Sequence, residues 1–226
     1  MKYLIRNDIS DVIKENKKVL IMYFSLNIFL VLFGAFYLGL DYDDTMAKTL
    51  GLVLNFEKRD TIEIMAFTFN LAFYIYLFIY IFTKDLTSGL DNIFLRMKSE
   101  KWLIGKFISI LIICAFFLFI NYFLYIIAML LTGNSLFFAG SLYLKHLLFY
   151  LVCGYAVILL FIVGQKISFI LVPITFILLF TLNSSIDIRK MNYSPLIFLL
   201  VAIISLSVII FRKTCFFIHE KRRDYK

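Results

Sequence analysis

The chain has 226 residues, of which 62% are hydrophobic and 19% aromatic, with a formal net charge of +8 and a mean hydropathy of +0.93. An ordinary soluble domain holds roughly 45–50% apolar residues, so the composition excludes a water-soluble globule and predicts an all-α integral membrane protein. The apolar runs lack the alternation of barrel strands, and they are near the ~20 residues that a helix rising ~1.5 Å per residue needs to cross ~30 Å of hydrocarbon.

Residues 1–18 come first. Leu4, Ile5, Ile9, Val12 and Ile13 are spaced for one helix face, while Arg6, Asp8, Asp11 and Lys14 fall largely elsewhere. This is the pattern of an amphipathic helix lying in the membrane interface. The first expected span, Val19–Leu40, is long and ends in "GLDYDD" without a small-residue cleavage site, so it reads as a retained span and not a cleavable signal. Further spans are expected at Ile62–Phe82, Leu103–Leu131, Leu142–Val163, Ile167–Leu182 and Pro195–Phe211. That gives six spans in a single transmembrane domain, 1–226, with no repeat, linker or low-complexity tail. The third run is long enough to require tilt or an interfacial extension. The fifth contains Pro173, whose missing N–H and ring clash leave either a kinked span or a re-entrant segment.

Basic residues in short loops are retained on the cytoplasmic side. With both termini inside, the inner segments hold most of the 23 Lys and Arg residues, while the first outer loop carries Asp41, Asp43, Asp44, Glu57 and Asp60. The expectation is a multi-pass protein of the cell membrane with cytoplasmic N- and C-termini. Its net charge then reflects topology and attraction to anionic membrane lipid, with no nucleic-acid partner.

Between the second and third spans, residues 84–102 form a cytoplasmic segment of mixed charge. Leu90, Ile93, Phe94 and Met97 recur at i, i+3, i+4 and i+7, and Thr87 or Ser88 can cap the start. At about 100° per residue the opposite face presents Asp91, Asn92, Leu95, Arg96 and Ser99, a set suited to a protein contact. A solvated helix resting on lipid is the plainer alternative.

The motifs that are missing narrow the chemistry. There is no G-x-x-x-x-G-K-[ST] to cradle a nucleotide phosphate, no H-E-x-x-H, no G-x-S-x-G and no paired cysteine spacing for zinc. The chain is therefore expected to be no enzyme, with no catalytic, cofactor-binding or metal residues of its own. His146 and His219 lie at span ends and read as interfacial or solvated, and Cys114, Cys153 and Cys215 as reduced, buried hydrophobes. Glu63 is placed at the outer mouth of the second span. Asn27, Asn70 and Asn121 sit deeper in their spans. They are candidates for polar residues of a transport pathway, but such side chains usually bond to a neighbouring helix.

Asp85, then Gly89, the bulky pair Phe94 and Leu95, Ser99, and Gly105-Lys106 opening the third span together resemble the cytoplasmic loop of type 2 ABC exporter permeases. Leu90 and Glu100 stand where that family has Thr and Arg, and the interval from Gly89 to Lys106 is shorter than the family's. The expected six spans, N-terminal amphipathic helix and cytoplasmic termini extend the resemblance over the whole chain. It implies a subunit that pairs with a second permease, identical or related, and with two ABC ATPase subunits that carry ATP and Mg. It also implies that 84–102 is a coupling helix, with Asp85, Gly89, Asp91, Asn92, Leu95, Arg96 and Ser99 toward the ATPase. A pathway lined by Phe, Tyr, Ile and a few Asn and Ser suits export of an amphipathic peptide, or protection against one, ahead of lipid-like cargo or a hydrated ion. The Ile, Phe, Lys, Asn and Tyr content suggests an AT-rich bacterial genome. A different class remains open, a partner-free immunity or scaffold protein of the bilayer. An intramembrane protease lacks the facing acid and histidine pairs that its chemistry needs.

Overall fold

Long apolar runs without internal proline fold as helices because a helix satisfies every backbone N–H and C=O within the segment, as lipid requires. The computed structural model describes residues 2–37, 50, 53–55, 61–87, 99–131, 140–163 and 185–223. Among them the order is α1 (Lys2–Glu15), α2 (Lys17–Tyr37), β1 (Val53–Asn55), α3 (Thr61–Thr87), α4 (Ser99–Leu131), α5 (Gly140–Val163), β2 (Ser185–Asp187), one 3-10 turn (Ile188–Lys190) and α6 (Tyr193–Arg223). Pro195 falls in the first turn of α6, where its missing N–H costs no intrahelical bond.

Stretches of α3 (Glu63–Asp85), α4 (Glu100–Ile127), α5 (Gly140–Leu160) and α6 (Tyr193–Arg212) are long and apolar enough to cross a membrane. The pair α1–α2, bent by 73°, adds a fifth if it is one span. The expected first span, Val19–Leu40, overlaps α2, which begins at Lys17 and counts toward a span only as part of that bent pair. The expected fifth span with Pro173 lies outside the described residues.

The bend between α1 and α2 is an ordered joint. Asn16 N–H donates to Val12 O at 3.2 Å, Leu20 N–H donates to Asn16 O at 2.9 Å, and Tyr76 of α3 donates its hydroxyl to Asn16 Oδ1 at 2.6 Å. The turn therefore keeps its backbone bonds while α3 braces it from the side.

The two strands form an antiparallel ribbon, with Val53 opposite Asp187, Leu54 opposite Ile186 and Asn55 opposite Ser185. The sequence reading did not include them, since three-residue strands carry too short a pattern to register. The Asp187 carboxylate accepts from Arg189 N–H at 3.0 Å, Lys145 Nζ donates to Arg189 O at 2.7 Å, and Tyr193 donates to Ser141 O at 2.6 Å. The ribbon end of the bundle thereby gathers the starts of α5 and α6. The opposite end gathers α1, the end of α3 and the start of α4, with Arg212 of α6 3.3 Å from Glu100.

The core is aromatic, built on Tyr23, Phe67, Tyr74, Phe78, Trp102 and Tyr150. Gly154 lets α5 close on α3: a Cβ there would lie 1.8 Å from Phe78 Cδ2, inside its ring. A small residue at this crossing is what allows two backbones to approach within a bundle.

Candidate functional site

The candidate site grows from one residue of α1. Asp8 shares a stripe with Val12 at i, i+4, and both are buried. The sequence reading had put Asp8 on the polar side. The structure turns it inward because a cation waits there: Lys106, seven residues into α4, is fully buried with its Nζ 2.6 Å from Asp8 Oδ1 and 2.8 Å from Asp85 Oδ2. Ser109 donates its hydroxyl to Asp8 Oδ2 at 2.7 Å, and Trp102 donates Nε1–H to Asp85 Oδ2 at 2.9 Å. Three helices therefore converge on one ammonium.

Two carboxylates around one ammonium make a cluster with a formal charge of −1 in a place of low dielectric. Desolvation of such ions costs several kcal/mol each, about what good geometry and extra hydrogen bonds return. Burial, the largest influence, pushes the Asp8 carboxyl above its ordinary 3.8, Lys106 and Ser109 pull it back, and Asp85 adds to the upward push. Trp102 closes the cluster, stacked on Phe211 at 5.5 Å between centroids and tilted on Phe82 at 5.5 Å. The Lys106 Nζ lies 5.8 Å from the centre of the Trp102 ring, within cation–π range.

A second, more exposed layer repeats the connection. Lys84 is paired with Asp11 and, at 3.3 Å, with Glu15, whose other oxygen accepts from the Tyr80 hydroxyl. The Tyr80 bond foremost, and then Lys84, hold the Glu15 carboxyl below its ordinary 4.5. The neighbours Lys84 and Asp85 thus both serve α1, one directly and one through Lys106. Chemically the arrangement is a clamp. Its charged groups are spent on one another, and it fixes α1 to the two helix ends that flank residues 88–98. Among the described residues no group of three or more His, Cys, Asp or Glu side chains is disposed to hold a metal ion.

Of the expected coupling residues, Asp85 is in this cluster, turned toward Lys106 and Trp102. Ser99 opens α4. Gly89, Asp91, Asn92, Leu95 and Arg96 lie outside the described residues. The three candidate pathway residues converge elsewhere, on Tyr23. The Tyr23 hydroxyl donates to Asn70 Oδ1 and accepts from Asn121 Nδ2, both at 2.6 Å, while Asn27 Nδ2 donates to Tyr23 O at 3.0 Å. This knot joins α2, α3 and α4 through buried side chains. Beyond it, Tyr74 stacks on Tyr150 at 4.4 Å, and His146 lies 4.4 Å from Tyr150 with Nδ1 3.4 Å from the Tyr122 hydroxyl. His146 is therefore not a solvated residue: α5 begins at Gly140, nearly two turns earlier, and carries it into the core. Glu63 and Cys114 are also buried, and Cys114 and Cys153 are free thiols.

Sequence reasoning missed Asp8, Lys106, Tyr23 and Trp102 as members of a site. For the first two a signal existed, an acid on the apolar stripe of α1 and a lysine inside the run Leu103–Leu131. A buried acid and a buried base in one chain have strong reason to find each other. The chain matches no protein-family profile, no curated protein and no solved structure.

Proposed function

We propose that this chain is the membrane-spanning subunit of an ATP-driven exporter of the type 2 ABC kind, working with a second permease and with separate ATPase subunits. One observation carries the reading: Lys106 joins Asp8 of α1 to Asp85 of α3 from its place near the start of α4. Both helix ends that flank 88–98 share one buried ion cluster with α1, so a push on that segment reaches three helices through contacts that are costly to separate. A subunit driven by a soluble motor needs such a frame.

In this reading the α1 end of the bundle faces the cytoplasm, with Lys2 and Arg6 at the membrane surface and the rest of α1 running inward beside α4. Residues 88–98 meet the ATPase through Asp91, Asn92, Leu95 and Arg96, and ATP and Mg stay on the partner. Asp85 serves the frame instead of the contact. The Tyr23 knot is a packing element of the bundle, and cargo passes between paired permeases. The aromatic composition supports an amphipathic peptide as that cargo.

The test is a pair of substitutions, Leu95→Asp and Arg96→Glu. A carboxylate placed in a protein contact is desolvated without a partner, and charge reversal replaces attraction by repulsion against an acidic surface. Export or peptide resistance, and ATPase activity in the complex, should fall at least tenfold. Permease yield and gel-filtration position should stay at wild type. Undiminished export by both variants would favour a partner-free membrane protein.

A further inference from the structure

The clamp leaves a groove beside it. Val12 of α1 with Ile113 and Phe117 of α4 form a buried floor, and Ile13, Ile112 and Phe116, between 42% and 54% exposed, form the rim. Every residue that lines it is apolar, and its volume is about 160 Å³. Apolar cavities of ~150 Å³ stay dry and accept a benzene-sized molecule, so a segment of alkyl chain fits.

We propose that this groove binds one anionic phospholipid, with an acyl chain between α1 and α4 and the phosphate on Lys2, Arg6 and Lys101. The directions of the two helices support it. Asp8 meets Lys106 and Ser109, whereas Val12 meets Ile113 and Phe117 further along, so α1 and α4 run the same way beside the groove. At about 100° per residue, Arg6 and Lys2 fall within about 20° of Ile13 around α1. Lys101 lies three turns before Ile112 on one stripe of α4. All three cations are exposed, on the groove's own faces and at the same end of it.

The lengths agree as well. From Arg6 to Ile13 is ~10 Å and from Lys101 to Ile112 ~16 Å at ~1.5 Å per residue, and one leaflet of hydrocarbon is ~15 Å deep, half of ~30 Å. The acids of the same elements are engaged elsewhere: Asp8 with Lys106, Asp11 and Glu15 with Lys84, and Glu100 with Arg212. The groove therefore faces a cationic headgroup site. Its apolar floor does not choose among lipids, since lipid tails are as apolar as isoleucine. Selection falls to the cations, which form charge-assisted bonds with a phosphate and repel the extra ammonium of phosphatidylcholine. This site does not depend on whether the chain works with an ATPase.

The test uses the full chain purified in mild detergent and titrated with phosphatidylglycerol or phosphatidylcholine, with bound lipid counted by native mass spectrometry. Wild type should retain one phosphatidylglycerol per chain, at least tenfold tighter than phosphatidylcholine. The triple variant Lys2→Gln/Arg6→Gln/Lys101→Gln should bind both lipids equally weakly, with its lipid-free melting temperature unchanged, and Arg6→Lys alone should keep the preference. Ile113→Phe, which fills the floor, should lose both lipids. If that variant does not fold, the surface triple variant still decides. Equal retention of the two lipids by wild type, or full phosphatidylglycerol binding by the triple variant, would overturn the proposal. So would occupation of the groove by a second copy, seen as a dimer that Phe116→Asp dissociates.

Discussion

The carboxylate of Asp8 and the ammonium of Lys106 lie 2.6 Å apart although 98 residues separate them in the chain. Both are buried, and the second carboxylate, Asp85, stands 2.8 Å from the same nitrogen. Lys106 is thus the member that the two acids share.

Removing the shared cation should therefore be the most damaging change at the clamp. Lys106→Met removes the cation that the buried Asp8 shares with the partly buried Asp85, and breaking a buried pair in this way costs about 3–5 kcal/mol. Asp8→Asn should cost less, because Lys106 keeps Asp85 and the amide still accepts from Ser109. Thermal unfolding in detergent reads the order; equal losses from the two variants would contradict the sharing.

The pH dependence has opposite signs at two neighbouring acids. Burial raises the Asp8 carboxyl above 3.8, so over the interval up to its raised value the folded chain holds a proton that the unfolded chain has lost. Its contribution to stability is complete below 3.8 and falls as pH rises through the raised value. Glu15 is lowered from 4.5 by Tyr80 and Lys84, so its contribution is present above 4.5 and is lost as pH falls through the lowered value. Melting temperature against pH should lose its alkaline decline across this interval in Asp8→Asn and part of its acid decline in Glu15→Gln. Profiles parallel to wild type in both variants would contradict these assignments.

The close crossing of α3 and α5 gives a prediction remote from any charge. A methyl group on residue 154 would meet Phe78 Cδ2 at 1.8 Å, and Phe78 is itself fully buried. Overpacking of this kind costs about 1–3 kcal/mol. Gly154→Ala should lower the melting temperature, and Phe78→Leu in the same chain should recover part of the loss. A Gly154→Ala protein that melts like wild type would mean the helices stand further apart.

The Tyr23 knot predicts stability effects without a change of cargo. Interhelical hydrogen bonds in membranes are worth about 0.6–2 kcal/mol, so Tyr23→Phe and Asn121→Leu should each lower stability by about that much. In an export assay, cargo preference should match wild type once protein level is normalised. A changed cargo spectrum at unchanged stability would make Tyr23 and Asn121 pathway residues instead.

Much of this architecture is legible in the sequence, because an apolar run of span length has few structures open to it in lipid. Four of the six expected spans fall in α3, α4, α5 and α6, helices long and apolar enough to cross a membrane, and the first falls in α2, which reaches that test only together with α1. What periodicity does not reveal is partnership. Asp8 looked like a polar-face residue because a one-dimensional pattern does not show that Lys106 stands opposite, and His146 looked interfacial because its helix begins before the hydrophobic count does. Asn70 and Asn121 signalled bonding between helices, but Tyr23 as their common partner depends on how three helices pack. The ribbon of β1 and β2 is set by pairing between segments more than a hundred residues apart, beyond the reach of any local pattern.

The central claim is that this chain works as the membrane subunit of a separate motor, and isolation of the tagged protein from its own membranes in mild detergent tests it most directly. The account predicts a stoichiometric co-eluting protein with a G-x-x-x-x-G-K-[ST] loop, ATP hydrolysis by the complex, and neither binding nor hydrolysis of ATP by the pure chain. A chain that elutes alone, or that binds nucleotide stoichiometrically by itself, while retaining full activity in cells, would contradict it.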